Sequence, residues 1–464
     1  EAVDQCCDIL LNGTPLGGHE GGYIPFTFDI TDFLKDENEL AVRVTDRLDT
    51  LVFPYGKQKR KRGGMWYTPT TGIWQSVWLE SVPEQYIREL RITPTLSHAD
   101  ITVLGVKEGV VHFEGKEIPL TDGRVRLTPA APVLWSPETP HLYDFTVTAG
   151  EDRVSSYFAL RTVECKTVDG LPRLCLNGKP YFFHGLLDQG YWSDGGLTPA
   201  DPACYEEDIL RMKSLGFNML RKHIKVEGRR FYYDCDRLGM IVFQDMVNNS
   251  DYSFFRDTAL PTLGLLKKND KNLHRDPDSR AAFLNGMKET VELLYNHPSV
   301  CLWTVFNEGW GQFDSAEAYR KLKNGVPTRP IDSASGWFLP KESDVDSRHI
   351  YFRKVRLTPS DKPLFLSEFG GLTYKVEGHV SCPERTYGYG TCKTRKEFVS
   401  RLCALYKEQV LPLIPKGLCA AVYTQVSDVE DEINGLVTFD RAVMKISPEE
   451  FSLVSRLLCE SIKK

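Results

Sequence analysis

The chain has 464 residues, more than one ordinary hydrophobic core encloses, so two or three domains are expected. Apolar residues make up 41% and charged residues 26%, the balance of a soluble globular protein, and a formal net charge of −6 offers no basic field to hold nucleic acid. No apolar run reaches about 20 residues, the length of a membrane-spanning helix, so no membrane partner is expected.

Twelve cysteines fall at irregular spacing, without the paired spacing of a metal site. A chain this long needs no disulfide staples, so reduced thiols in a cytoplasmic protein are expected. The chain opens Glu1-Ala2-Val3-Asp4, with neither a signal sequence nor a Met, which leaves its true start and any targeting segment open.

Residues 1–83 read as β structure. Ile9-Leu10-Leu11 runs into Asn12-Gly13, a hairpin turn signal. Segments 26–30 and 40–44 alternate apolar and polar residues, and 73–80 reads as a strong strand. The basic run Lys57-Gln58-Lys59-Arg60-Lys61-Arg62 is expected to be a solvated loop rather than a phosphate site. Residues 84–162 keep the all-β habit, with candidate strands at 86–92, 101–106, 110–113, 125–127 and 143–147 separated by turn residues at sandwich-like spacing.

From about residue 163 the rhythm changes. Short apolar strands at 180–185, 217–221, 240–245, 300–308, 348–352, 363–368 and 418–425 alternate with helical patterns. One helix carries Tyr205, Ile209 and Met212 and stops at Gly216; another places Phe283, Met287, Val291 and Leu294 on one face. Seven strands are clear and an eighth, 331–335, is weak. A (β/α)8 barrel is expected, with a doubly wound open sheet as the competing architecture.

Two of these strands end in glutamate, at Glu308 and at Glu368. The carboxyl edge of a parallel α/β sheet is where such folds place chemistry. A carboxylate after a strand is also a common helix cap. Here Asn307 precedes Glu308 and Gly309-Trp310-Gly311 follow, while Phe369-Gly370-Gly371 follow Glu368. An aromatic flanked by glycines suits a pocket wall better than a helix start. Two carboxylates across a barrel mouth suit glycosidic bond cleavage, one protonated to assist the leaving oxygen and one ionised to attack the anomeric carbon. Arg221, at the end of the second strand, either keeps Glu368 ionised or makes a structural salt bridge. His184, His223, His349 and Tyr351 sit at other strand ends, and with Trp310, Trp337 and Tyr423 they form a candidate sugar-binding rim. Asp428, Glu430, Asp431 and Glu432 are expected to be solvated loop charge.

Three longer stretches carry a resemblance. They are Thr71-Gly72-Ile73-Trp74-Gln75-Ser76-Val77-Trp78-Leu79-Glu80, Leu134-Trp135-Ser136-Pro137-Glu138-Thr139-Pro140-His141-Leu142-Tyr143, and Asn296-His297-Pro298-Ser299-Val300 through Asn307-Glu308. In this order they resemble glycoside hydrolase family 2, which includes β-galactosidases, β-glucuronidases and β-mannosidases. The resemblance implies a multidomain chain: a partial β jelly-roll sugar-binding domain over 1–83, an immunoglobulin-like β-sandwich over 84–162 and a catalytic C-terminal (β/α)8 TIM barrel over 163–464. It implies a retaining, exo-acting, β-galactosidase-like glycosidase acting on an oligosaccharide or glycoside. Glu368 would be the nucleophile, Glu308 the general acid/base, Asn307 the partner of the sugar 2-hydroxyl and Tyr351 a neighbour of the nucleophile.

Departures from the family pattern refine these expectations. Met246-Val247-Asn248-Asn249 stands where some β-galactosidases carry magnesium-binding Glu and His, so no metal and no cofactor is expected. Ile433-Asn434-Gly435-Leu436 stands where glucuronidases carry an Asn-Lys pair, which argues against a glucuronidase. Arg221-Lys222-His223-Ile224-Lys225 departs from the β-galactosidase pattern and leaves His223 without an assigned role. Family members carry a longer stretch before the point where this chain begins, so a catalytically impaired fragment that binds carbohydrate without turnover is the alternative. The sugar, the linkage and a homo-oligomeric state stay open.

Overall fold

Eight parallel strands organise the second half of the chain: Phe183–Asp188, Met219–Lys222, Ile241–Asp245, Val300–Asn307, Ile331–Ser335, Asp346–Ile350, Leu364–Gly370 and Leu418–Thr424. The computed structural model describes residues 1–260, 270–326, 328–337 and 340–462. The first of these strands pairs with the eighth, Phe183 to Leu186 against Ala420 to Tyr423, and the sheet curls into a barrel. That pairing decides against the doubly wound sheet, whose first and last strands stay apart. Fifth and sixth strands close the ring without a ladder among the described residues. Instead Asp344, just before the sixth strand, donates its N–H to Ile331 O (2.9 Å) and accepts the Ile331 N–H at Oδ2 (2.8 Å). The fifth strand was faint in the sequence because three of its five residues are polar: Ser335 bonds Arg221 and Asn307, Asp332 lies near Arg221 and His349, and Ser333 bonds Glu342 O.

Alternation along each strand divides the barrel core into two sets, as a strand period of two requires. Phe183, Leu187, Met219, Phe243, Cys301 and Phe365 form an interior cluster. Leu186, Leu220, Val242, Leu366 and Ala421 face outward onto Ile209, Met212, Phe231, Met287, Leu294 and Phe451 of the surrounding helices. Those helices begin and end where local chemistry allows. Asp276 caps Pro277–Leu294 by accepting the Ser279 N–H at 2.8 Å, and Pro277 supplies the first turn. Ser447 and Glu450 cap Pro448–Ser461 reciprocally. Gly239, at φ 73°, closes Arg229–Leu238. No helix among the described residues is long and apolar enough to cross a membrane.

Ahead of the barrel the chain is all β. Arg124–Leu127, Ala99–Leu104 and Glu89–Pro94 form one sheet of a sandwich; Asp152–Phe158, Tyr143–Ala149, Gly109–Phe113 and Lys116–Leu120 form the other. Between them lie Ile92, Ile101, Val111, Phe113, Leu127, Phe145, Val147 and Phe158. The two strands that the sequence pattern had not isolated, Lys116–Leu120 and Asp152–Phe158, are the edges of the second sheet. Their charged and polar residues are what an edge carries to avoid further pairing.

At the N-terminus, Cys6–Leu11 lies between Thr14–Glu20 and Leu40–Thr45 in an antiparallel sheet, with Asn12-Gly13 as its turn. Two expected strands are absent. Segment 26–30 is not a strand; its alternation arises because Phe26 and Phe28 lie across a small apolar cluster, Phe26 stacked on His19 at 4.4 Å. Of 73–80 only Ile73 pairs, in Gly72–Ile73 with Val3–Asp4. Trp74 then turns inward and donates to Gly22 O (2.7 Å), while Val77, Trp78 and Leu79 are exposed, with no strand beside them among the described residues.

Candidate active site

The carboxyl ends of the barrel strands converge on one guanidinium. Arg221, at the end of the second strand, is fully buried. Its Nε donates to Asp245 Oδ1 (2.9 Å) at the end of the third strand. Nη1 donates to Glu368 Oε1 (3.0 Å) and Ser367 O (3.1 Å), and approaches His349 Nε2 (3.3 Å). Nη2 donates to Asn307 Oδ1 (3.0 Å) and Ser335 Oγ (2.9 Å). All five N–H groups are therefore committed to protein acceptors. Arg221 thus has no N–H left for a substrate and acts as a positioning residue.

Around Glu368 every neighbour favours a carboxylate. Tyr351 donates its hydroxyl to Oε2 and shares Thr424 Oγ1 at 2.9 Å. His349 Nε2 lies 3.6 Å and His223 Nδ1 3.9 Å from Oε1. Burial, the largest influence, pushes this carboxyl up; His349, His223, Arg221 and the Tyr351 hydroxyl together overcome it and hold the group below its ordinary value. Asp245 is held low in the same way, by Arg221 and His223 against burial. His223, left without a role by the sequence, accordingly spaces Asp245 from Glu368, with Nδ1 2.8 Å from Asp245 Oδ2.

Glu308 approaches from the opposite side. His349 bridges the two carboxylates, with Nδ1 2.8 Å from Glu308 Oε1. Oxygens of Glu308 and Glu368 come within 4.8 Å of each other. These two residues and His349 would also be the natural ligands of a cation, but the Arg221 guanidinium already supplies positive charge at Glu368 Oε1. Glu308 sits at φ 53°, a left-handed conformation that a non-glycine residue adopts at a cost of about 1 kcal/mol or more. Its backbone is held there by Glu308 N–H to Ser335 O (3.0 Å) and by Trp310 N–H to Asn307 O (3.0 Å). With the Asn307 amide oxygen taken by Arg221 and by Ser335 Oγ (2.8 Å), the Asn307 NH2 is left to donate.

Glu308, His349, Tyr351 and Trp337 open onto a cavity of about 990 Å3. Trp66, Tyr252, Tyr387 and Tyr389 supply further walls, with Tyr389 stacked on Tyr351 at 3.8 Å. Glu368 lies behind Tyr351, 4% exposed. Three expected rim residues lie elsewhere. His184 points outward from the first barrel strand into a nest of Phe217, Tyr406 and Phe451, where burial drives its imidazole down to about 3. Tyr423 also faces the helices, against Phe369 and Tyr406, and accepts the Leu372 N–H (3.1 Å). Trp310 is buried behind the wall, edge-on to Trp66 at 5.0 Å, and donates to Ser250 O (3.3 Å).

The N-terminal region contributes what the barrel alone does not. Gly63, Gly64, Met65 and Trp66 line the cavity. Arg62 pairs with Glu430 (3.1 Å) and Asp431 (2.9 Å), Tyr67 donates its hydroxyl to Glu432 (2.6 Å), and the Thr68 N–H meets Glu430 (2.8 Å). The basic run is thus a fastened wall loop and not a solvated one. Asp428, Asp431 and Glu432 are buried, against expectation, because they bind that loop and Lys445. Gly63-Gly64-Met65-Trp66 carried the same glycine-flanked aromatic signal that drew attention to Trp310.

With this geometry in view, residues 168–443 match Glycosyl hydrolases family 2, TIM barrel domain, and residues 81–161 match Glycosyl hydrolases family 2. A β-galactosidase of Klebsiella pneumoniae is 26% identical over 391 residues, covering 74% of this chain and 34% of its own length. A β-glucuronidase of Bacteroides fragilis is 25% identical, covering 72% of this chain and 51% of its own. The chain spans about a third to a half of the length of the curated relatives it matches. Among solved structures, a β-galacturonidase from Eisenbergiella tayi bound to galacturonate shares the fold with a TM-score of 0.69 at 19% identity, covering 98% of this chain and 86% of its own.

Proposed function

Because the chain belongs to glycosyl hydrolases family 2, we propose that it is a retaining, exo-acting β-glycosidase, β-galactosidase-like in mechanism, with its domains over 1–83, 84–162 and 163–464. The observation that carries this reading is the Glu308–His349–Glu368 chain, which brings one oxygen of each carboxylate within 4.8 Å of the other. Retaining glycosidases place their carboxyls about 5–5.5 Å apart and inverting ones about 6.5–9.5 Å. In the first displacement the ionised Glu368 bonds to the anomeric carbon while Glu308 gives its proton to the departing glycosidic oxygen, and the carbon–oxygen bond breaks. In the second, the Glu308 carboxylate takes a proton from water; the water oxygen bonds to the anomeric carbon and Glu368 leaves as carboxylate. Asn307 donates to the sugar 2-hydroxyl, and Tyr351 and Arg221 hold Glu368 in line. Trp66, Trp337, Tyr387 and Tyr389 offer faces for the apolar sides of sugar rings.

Proton NMR of the first product from a nitrophenyl β-glycoside tests this reading. The β anomer should form first and mutarotate afterwards. An α anomer as first product would overturn the double displacement, and sugar binding without turnover of any aryl β-glycoside would make the protein a carbohydrate binder instead.

A second expectation concerns Gly336, at φ 95° after the fifth strand. A Cβ there would meet Glu308 Cγ and His349 Nδ1, each at 3.2 Å. Gly336→Ala should therefore part His349 from Glu308 and lower kcat/KM by about 10- to 100-fold, with a stability loss of only about 1–2 kcal/mol. Kinetics and urea unfolding of the same preparation check both halves.

A further inference from the structure

Lys57 is a largely buried residue whose ammonium has no ion pair or hydrogen bond among the described residues. Its backbone is fixed on both sides: Gly56 donates to Asn248 O (3.3 Å), and Lys57 O accepts the Tyr67 N–H (2.9 Å). The side chain belongs to a residue only 7% exposed, yet among the described residues Nζ has neither a hydrogen-bond acceptor nor a carboxylate partner. It lies 5.9 Å from the ring centroid of Trp66, a wall of the cavity. Its charge reaches two groups of the site: it opposes the upward push of burial on Glu432 and adds to the lowering of His223, which itself lies 3.9 Å from Glu368.

The carboxylates nearby are already engaged. Glu432 accepts from Tyr67 at Oε2 (2.6 Å) and from Asn434 Nδ2 at Oε1 (3.0 Å). Glu368 is held by Arg221 and Tyr351. An ammonium held largely out of water without a paired anion is unfavourable, and a bound anionic group would supply the missing counter-charge. The neighbouring basic residues are better held: Lys59 sits closer over the Trp66 ring, at 3.8 Å against 5.9 Å for Lys57, and Arg62 is paired twice. We propose that Lys57 determines specificity by binding an anionic substituent, a carboxylate or a sulfate ester, on the terminal sugar of the glycoside. The substrate class is then acidic β-glycosides. The expectation against a uronate, drawn from residues 433–436, concerned one segment; this cation comes from a loop of the N-terminal region.

The inference rests on the glycosidase reading for its turnover assay but not for its binding assay. Wild type, Lys57→Met and Lys57→Arg are compared on nitrophenyl β-glucuronide, β-galacturonide and a β-galactoside sulfated at its primary hydroxyl, with the neutral β-glucoside and β-galactoside as parents. Wild type should prefer one anionic substrate to its neutral parent, and which one separates carboxylate from sulfate. Lys57→Met should lower kcat/KM on that substrate by about 100-fold, far more than on the parent, and Lys57→Arg should restore most of it. Equal losses on charged and neutral substrates, or a wild type that favours the neutral parents, overturn the inference and leave the glycosidase reading standing. If no aryl glycoside is hydrolysed, the glycosidase reading falls, and calorimetry with glucuronate, galacturonate and sulfated galactose decides for Lys57. Binding to wild type that weakens by a similar factor in Lys57→Met supports it; no binding, or equal binding, overturns it.

Discussion

Cutting the Glu368 side chain back to a methyl group, Glu368→Ala, is expected to lower kcat on an aryl β-glycoside by about 100,000-fold or more, because the covalent step loses its nucleophile outright. The cavity left beside Arg221 and Tyr351 should then admit a small anion. Added azide should restore part of the rate and yield the α-glycosyl azide, since one displacement replaces two. The surroundings favour such rescue: Arg221 keeps Asp245 as a partner, so the guanidinium persists and attracts the incoming anion. The measurement is kcat with and without azide, together with the anomeric configuration of the azide product. A variant that keeps wild-type kcat, or one whose azide product is β, removes Glu368 from the nucleophile's place.

Glu308 and Glu368 were legible because both end uninterrupted apolar runs, and in a parallel barrel the end of a run is also its chemical edge. His349 and Tyr351 follow the polar stretch Asp346-Ser347-Arg348 and stood out only as residues at the carboxyl end of a strand. What a strand end does not reveal is which way a side chain points. His184 and Tyr423 lie on barrel strands but on the parity that faces the helices, so their polar atoms are spent among Phe217, Tyr406 and Leu372. On the first strand, Phe183 and Leu187 face inward while His184 and Leu186 face outward. Strand boundaries read a residue or two early or late are enough to exchange those faces. Arg221 was found at its position, but its five donors were not countable without Asp245, Ser335, Ser367 and Asn307 around it. The loop 57–67 was out of reach for a different reason. Its charge pattern is that of any solvated loop, and only partners distant in sequence, Glu430, Asp431 and Glu432, turn it into a wall. Its most deeply buried charge, Lys57, was therefore hidden among six residues that looked alike.

The second large effect is expected at Arg221. Arg221→Met keeps the apolar stem and removes the fork, which leaves Asp245 with His223 and Glu368 with Tyr351 and His349, both carboxylates still buried. Deleting one partner of a buried ion pair costs about 3–5 kcal/mol, so urea unfolding should show a loss of that order at neutral pH. The pH dependence supplies the sharper test. In the wild type Glu368 is held below its ordinary value of 4.5, so its contribution to stability is present above about that pH and is lost as pH falls through the lower folded value. Without the guanidinium, burial, which is the largest influence and acts upward, is opposed only by His349, His223 and the Tyr351 hydroxyl, so the folded value rises toward the ordinary one. The stabilising contribution of Glu368 above that pH shrinks accordingly, and the variant's stability depends less on pH across the acid range. The acid limb of kcat/KM, which reports the ionised nucleophile in the free enzyme, should move up by about one unit or more. Arg221→Lys should keep the charge but not the five-way fork, and so shift the limb less while still losing the orientation of Asn307. An acid limb that stays in place in Arg221→Met would mean that Tyr351 and the histidines alone keep Glu368 ionised, and that the guanidinium holds five strand ends together without setting the charge of the nucleophile.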